Sequence, residues 1–139
     1  MNPHAPVRHV MTHDPLCVEV DTPPSVARRL LANHPFHHLP VVRDGRIVGI
    51  LSLADLLPHA LAAYVADAAT VDAHLDAVTR LDRLMTHEPE TVGPDDSLLR
   101  AASLLADGRF HAVPVVDAQG AVLGILTTTD IVRHFIGLH

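Results

Sequence analysis

The 139 residues suffice for one compact domain of ordinary size, or for two small lobes sharing a core, and they contain no apolar run long enough to span a bilayer. A net charge of −6, with no basic cluster and no RRM, zinc-finger or helix-turn-helix pattern, argues against a nucleic-acid binder that works by general electrostatics. The first ten residues hold no hydrophobic signal core, and the single cysteine, Cys17, can form no internal disulfide; both point to a cytoplasmic protein.

After an N-terminal segment (1–10), Leu16–Val20 follows Pro15 as a short β-prone stretch. Asp21, Thr22, Pro23 and Pro24 read as a helix start, because Asp and Thr cap well and Pro is tolerated in a first turn. Val26, Ala27, Leu30 and Leu31 then recur at helical spacing. Beyond Pro35, Leu39–Arg43 and Ile47–Leu51 are strands joined at Asp44-Gly45, a strong hairpin signal. A further helix begins at Ser52. Residues 58–83 are Ala-rich, with aliphatics at helical spacing, and predict one or two connecting helices broken near Asp67–Thr70. Ala60, Leu61, Tyr64 and Val65 read as a buried face of this connector.

The same order then returns. Glu90–Val92 is β-prone, Pro94-Asp95-Asp96 starts a helix, and Leu98, Ala101, Ala102 and Leu105 give it an apolar face. Val113–Asp117 and Val122–Leu126 form a second hairpin around Ala118-Gln119-Gly120, and a last helix begins at Thr127. Aligned from Met11 and Met85, the copies share 20 of 46 positions, with one residue inserted at the second hairpin tip. Each unit is β-α-β-β-α, and each copy alone is marginal as an independent fold. The fold class is therefore α+β, with a first repeat at 11–57, a connector at 58–83 and a second repeat at 84–136.

The sharpest motif is Gly49-Ile50-Leu51-Ser52-Leu53-Ala54-Asp55, repeated as Gly124-Ile125-Leu126-Thr127-Thr128-Thr129-Asp130. Glycine weakens a strand unless something must approach its backbone closely. A hydroxyl then sits at a helix N-cap and an acid in the first turn. Free N–H groups and the positive dipole end suit phosphate, and a carboxylate can accept from two vicinal ribose hydroxyls. The same spacing also fits a capping box, with Asp where Glu or Gln is preferred. Both readings remain open on the residues alone.

Taken together, the copies resemble cystathionine-β-synthase (CBS) domains, and the pair resembles a Bateman module. The matching features are Met11-Thr12 and Met85-Thr86, the hydrophobic helix, Leu39–Val42 and Val113–Val116, and the Gly-Ile-Leu-Ser/Thr-x-x-Asp motif. The resemblance implies repeats packed sheet to sheet with pseudo-twofold symmetry, and two clefts holding AMP, ADP, ATP or S-adenosylmethionine as regulatory ligands. It also implies homodimers, energy sensing and an unidentified protein partner. It assigns ribose or phosphate contacts to Ser52, Asp55, Thr127 and Asp130. It places Val18–Val20 and Val92–Pro94 along the base pocket, mainly through backbone, with Ile50 and Ile125 against the base. Basic residues ahead of the Pro-Val-Val strand reach phosphate in such proteins, which nominates His37, His38 and His111, with Arg43, Arg109 and Arg133 as further cations. The first copy has Phe36-His37-His38 where the second has Phe110-His111-Ala112, so the two clefts are expected to differ in phosphate preference.

Twelve histidines invite a metal reading. His9 and His13 have a ligand spacing if Val7–Met11 is helical, and His34, His37 and His38 cluster, yet no His-Glu-x-x-His or Cys/His set is present. No metal and no required cofactor are expected. Cys17 reads as a small hydrophobe. No nucleophile–base pair supports an enzyme. The expected function is thus a non-catalytic regulatory module, and the alternative is a structural dimerisation module with empty clefts. Neither nucleic acid nor membrane insertion is expected.

Overall fold

A computed structural model describes residues 2–62 and 67–137. In chain order, a 3-10 turn (Val7–His9) precedes β1 (Thr12–His13), β2 (Val18–Glu19), α1 (Pro24–Asn33), β3 (His38–Arg43), β4 (Arg46–Ser52) and α2 (Leu53–Ala62). Then come α3 (Ala68–Val78), α4 (Leu81–Leu84), β5 (Thr86–His87), α5 (Leu98–Leu105), β6 (Ala112–Val116), β7 (Val122–Thr127) and α6 (Thr128–Phe135). Each repeat runs helix, two strands, helix after its short opening strands, as the hydrophobic spacing predicts. Most described residues of the connector are helical, and α3 begins at an Asp67 cap whose carboxylate accepts from Thr70 N–H at 2.8 Å. Tyr64 and Val65 of the expected connector face lie outside the described residues, as do the side chains of Ala60 and Leu61.

The chain divides into two compact units whose membership does not follow the sequence repeats. Unit 1 comprises 1–15, 44–47 and 89–139; unit 2 comprises 16–43 and 48–88. In unit 2 the sheet order is β2-β3-β4-β5, with β2 parallel to β3 and β5 antiparallel to β4. In unit 1 the order is β1-β7-β6, both pairings antiparallel. The strand expected over Glu90–Val92 is reduced to one parallel bridge, Val92 to Val115. The short strand opening each sequence repeat thus completes the sheet built by the other repeat.

The Asp44-Gly45 turn has φ of 51° and 77°, the two positive values a type I′ hairpin requires. The second hairpin uses its inserted residue differently. There the Asp117 carboxylate accepts from the N–H groups of Gln119 and Ala121, both at 2.9 Å.

Each unit has its own apolar core. Leu39, Val41, Leu51, Leu81 and Met85 anchor unit 2; Val7, Leu98, Val113, Val115 and Leu126 anchor unit 1. The motif glycines face these cores. A Cβ on Gly124 would lie 2.5 Å from Met11 Sδ and 2.8 Å from the Thr12 carbonyl oxygen, and a Cβ on Gly49 would collide with the Met85 side chain. The close approach that glycine permits is therefore that of the methionine from the exchanged strand.

In unit 2, α3 is held on α1 by two acids. Asp76 accepts from Ser25 N–H at 2.9 Å and from its hydroxyl at 2.6 Å, and Asp72 accepts from Arg28 Nε at 2.6 Å. Pro23 cannot cap α1 with a side chain, so Asp76 supplies the missing acceptor from a neighbouring helix.

Candidate functional site

Each unit builds the same corner, where the start of one strand meets the end of the next. In unit 2, Leu53 N–H donates to the His37 carbonyl at 3.1 Å, which sets His37 beside the first turn of α2. Asp55 reaches back so that its Oδ2 accepts from Ser52 N–H at 2.8 Å. In unit 1, Thr128 N–H donates to the His111 carbonyl at 3.0 Å, and Asp130 Oδ2 accepts from Thr127 N–H at 3.0 Å. Thr127 Oγ1 in turn accepts from Asp130 N–H at 3.0 Å, completing a capping box.

Backbone thus brings His37, Ser52 and Asp55 to one corner, and His111, Thr127 and Asp130 to its counterpart. The capping role is real in both. It occupies Oδ2 of each carboxylate, and among the described residues nothing donates to Oδ1. Nor does any described residue hydrogen-bond Ser52 Oγ. Each corner therefore offers a carboxylate oxygen, a hydroxyl proton and an exposed imidazole at a helix N-terminus. His38 is half-buried at the first position of β3.

The apolar candidates fall on two faces of each sheet. The Val18 and Val92 side chains belong to the cores, so what they can offer a ligand is backbone. Val92 N–H is itself committed to the Pro114 carbonyl at 3.1 Å, and Val20 N–H to that of Val42 at 2.9 Å. Ile50 and Ile125 lie outside those cores, with 8% and 7% of their surface exposed. Thr86 stands opposite Ile50 and Thr12 opposite Ile125 in the antiparallel pairs, so each threonine shares its isoleucine's face. Sequence reasoning gave these threonines no role, because only the strand exchange puts them beside the isoleucines.

A cleft of about 490 Å³ opens in unit 1, walled by residues 91–96 and 116–118. It includes the Val92–Pro94 stretch but not the His111–Thr127–Asp130 corner. Its carboxylates are engaged locally: Asp96 Oδ2 accepts from Gly93 N–H at 2.7 Å, and Asp95 pairs with Arg8.

The other cations and histidines separate. Arg109 is paired with Asp107 at 2.8 Å, and its backbone N–H, then its side chain, hold that carboxyl below the usual range, while Arg43 and Arg133 are exposed. His9 and His13 do not share a helix: Val7–His9 is one 3-10 turn, and His13 in β1 has Nε2 2.9 Å from the Arg8 carbonyl. His87 makes the equivalent contact with the Asp82 carbonyl in the other repeat. His34 stacks on Phe36 with ring centroids 4.9 Å apart and has Nδ1 2.8 Å from the Leu30 carbonyl. Among the described residues, no three His, Cys, Asp or Glu are placed to hold a metal. Burial, aided by Glu19, pushes the Cys17 thiol above its ordinary pKa. No described helix is long and apolar enough to cross a membrane.

The family profile described as CBS domain matches residues 7–61 and again 80–137. The CBS domain pair of protein MJ0100, solved with 5′-methylthioadenosine and S-adenosyl-L-methionine, is similar at a TM-score of 0.79 and 27% identity, covering 97% of this chain and 98% of that one. CBSX2 of Arabidopsis thaliana, solved with AMP, is similar at 0.77 and 30% identity, covering 94% and 96%. The inosine-5′-monophosphate dehydrogenase of Thermoplasma acidophilum is 29% identical over 88% of this chain and 22% of its own length. This chain spans about a fifth to two fifths of the length of the curated relatives it matches.

Proposed function

Since the chain belongs to the CBS domain family, with domains matched at 7–61 and 80–137, we propose that it is a non-catalytic regulatory pair that binds an adenosine compound and passes the bound state to a protein partner. The observation that carries this reading is the duplicated corner. In each unit one carboxylate oxygen secures the helix start, while the other, with a hydroxyl beside it, is left for a ribose. The N–H groups of the same helix start and the neighbouring His37 or His111 suit phosphate. The solved relatives that hold AMP, S-adenosylmethionine or methylthioadenosine support an adenosine moiety.

The two corners are not equivalent. The Thr127 hydroxyl already accepts a hydrogen bond from Asp130 N–H, and the Ser52 hydroxyl does not. The Ser52 hydroxyl is therefore the less committed of the two.

A second reading, a structural interaction module, is favoured by the apolar face around α6, where Val132, Phe135 and Ile136 are more than half exposed. A thermal-shift screen of AMP, ADP, ATP, GTP and S-adenosylmethionine, with and without Mg²⁺, separates the two. Stabilisation by an adenosine compound, reduced in Asp55→Asn, supports the regulatory reading. No shift with any compound supports the interaction module.

A further inference from the structure

Residues 3–8 are hydrogen-bonded to the loop that walls the unit 1 cleft and to the helix start that follows it. Val7 N–H donates to the Asp96 carbonyl at 2.8 Å, and Arg8 N–H donates to the Pro94 carbonyl at 3.0 Å. In the opposite direction, Leu98 N–H donates to the Ala5 carbonyl and Leu99 N–H to the Pro3 carbonyl, both at 2.8 Å. The segment thus satisfies amides at the start of α5 that no intrahelical carbonyl can reach. The Val7 side chain is fully buried in the unit 1 core with Val92 and Leu98, and Arg8 pairs with Asp95.

The loop residues this segment holds, Pro94, Asp95 and Asp96, also belong to the cleft wall. The loop cannot shift toward or away from a bound molecule without changing the Pro94 and Asp96 carbonyls that hold the segment. Unit 2 secures the equivalent helix differently, through the side chain of Asp76 on regular helix α3. This follows the sequence difference between the copies, Pro23-Pro24 against Ser97-Leu98. In unit 1 the helix start is held instead by a segment with one antiparallel bridge, Pro6 to Ser97, and one 3-10 turn.

We propose that residues 3–8 are a strap coupled to occupancy of the unit 1 cleft. Ligand against Gly93–Asp96 fixes the loop and tightens the strap, and release of the strap loosens the loop and weakens the ligand. The proposal rests on the adenosine-compound reading given above, with the ribose at Thr127 and Asp130 and the base along the Val92–Pro94 stretch of the cleft wall. Linkage makes the two effects equal in size.

The test is hydrogen exchange on the full chain, with and without saturating AMP, and with S-adenosylmethionine in parallel. The amides of Val7, Arg8, Leu98 and Leu99 report the strap, and Ser25 in unit 2 is the internal reference. The expected result is slowing of those four amides by about fivefold or more on ligand addition. Val7→Ala, and Arg8→Ala as the variant that leaves the core intact, should speed their exchange and weaken AMP in the same order. If AMP raises the melting temperature but leaves the four amides unchanged, or slows only Ser25, the strap is overturned while the functional reading stands. If neither compound changes melting or exchange, the functional reading fails and the strap falls with it.

Discussion

Asp55 and Asp130 each have one oxygen on a helix start and one without a described donor, and this sets how their roles can be separated. Alanine would remove the cap and any ribose contact together. Asparagine keeps a carbonyl oxygen for the Ser52 or Thr127 N–H and loses the second acceptor and the charge. Asp55→Asn should therefore leave the melting temperature nearly unchanged and reduce ligand-induced stabilisation. The neighbouring hydroxyls should behave unequally. Thr127→Ala removes an N-cap acceptor and should cost about 1 kcal/mol in denaturant unfolding, whereas Ser52→Ala should cost less than half of that. Sequence alone left capping and ribose binding as competing explanations. Capping is present at both corners, and the other carboxylate oxygen accepts from no described residue. A contact made by backbone, such as the His37 carbonyl on Leu53 N–H, has no signature in residue type, so its place in the corner was not legible from spacing.

At the scale of elements, the hairpins and the amphipathic helices were legible because their signals are local: Asp44-Gly45 in one case, apolar spacing in the other. The motif glycines were legible only in part. A glycine inside a strand pointed to a close approach, but the approaching group is a methionine from the other repeat, distant in sequence. Gly124→Ala meets the Thr12 backbone as well as Met11, and should destabilise unit 1 by about 1–3 kcal/mol. Gly49→Ala meets only the flexible Met85 side chain and should cost less, with the cost largely relieved when Met85→Ala is added; denaturant midpoints of the single and double variants measure this. The α1–α3 clasp adds a pH dependence. The hydrogen bond from Arg28 holds the Asp72 carboxyl below its ordinary pKa. A lowered folded-state pKa contributes stability that is complete above the unfolded carboxylate range and is lost as pH falls through the folded value. Melting temperature should therefore decline on acidification below about pH 4, and Asp72→Asn should flatten that decline.

For the whole molecule, the division into units was the least legible feature. Two-residue strands carry no periodicity, so β1 and β5 could not be read from spacing, and the β-α-β-β-α pattern of each repeat, although marginal as an independent fold, gave no sign that its sheet takes a strand from the other repeat. In the fold, unit 2 takes Leu81, Met85 and β5 from the far end of the connector and the second repeat, and unit 1 takes Val7, Met11 and β1 from the N-terminal end. Fragments 1–79 and 80–139 should each be largely unfolded alone and should regain helical circular dichroism when mixed one to one. Native-like folding of either fragment by itself would contradict the exchange. The proposed ligand corners lie at the ends of β4 and β7, the strands with which the exchanged β5 and β1 pair, and a single titration tests them. Isothermal titration of AMP into the wild-type chain and into Asp55→Asn/Asp130→Asn, at matched melting temperature, should show binding that is at least tenfold weaker in the double variant, about 1.4 kcal/mol. Equal affinity in the two proteins would contradict a ribose role for these carboxylates.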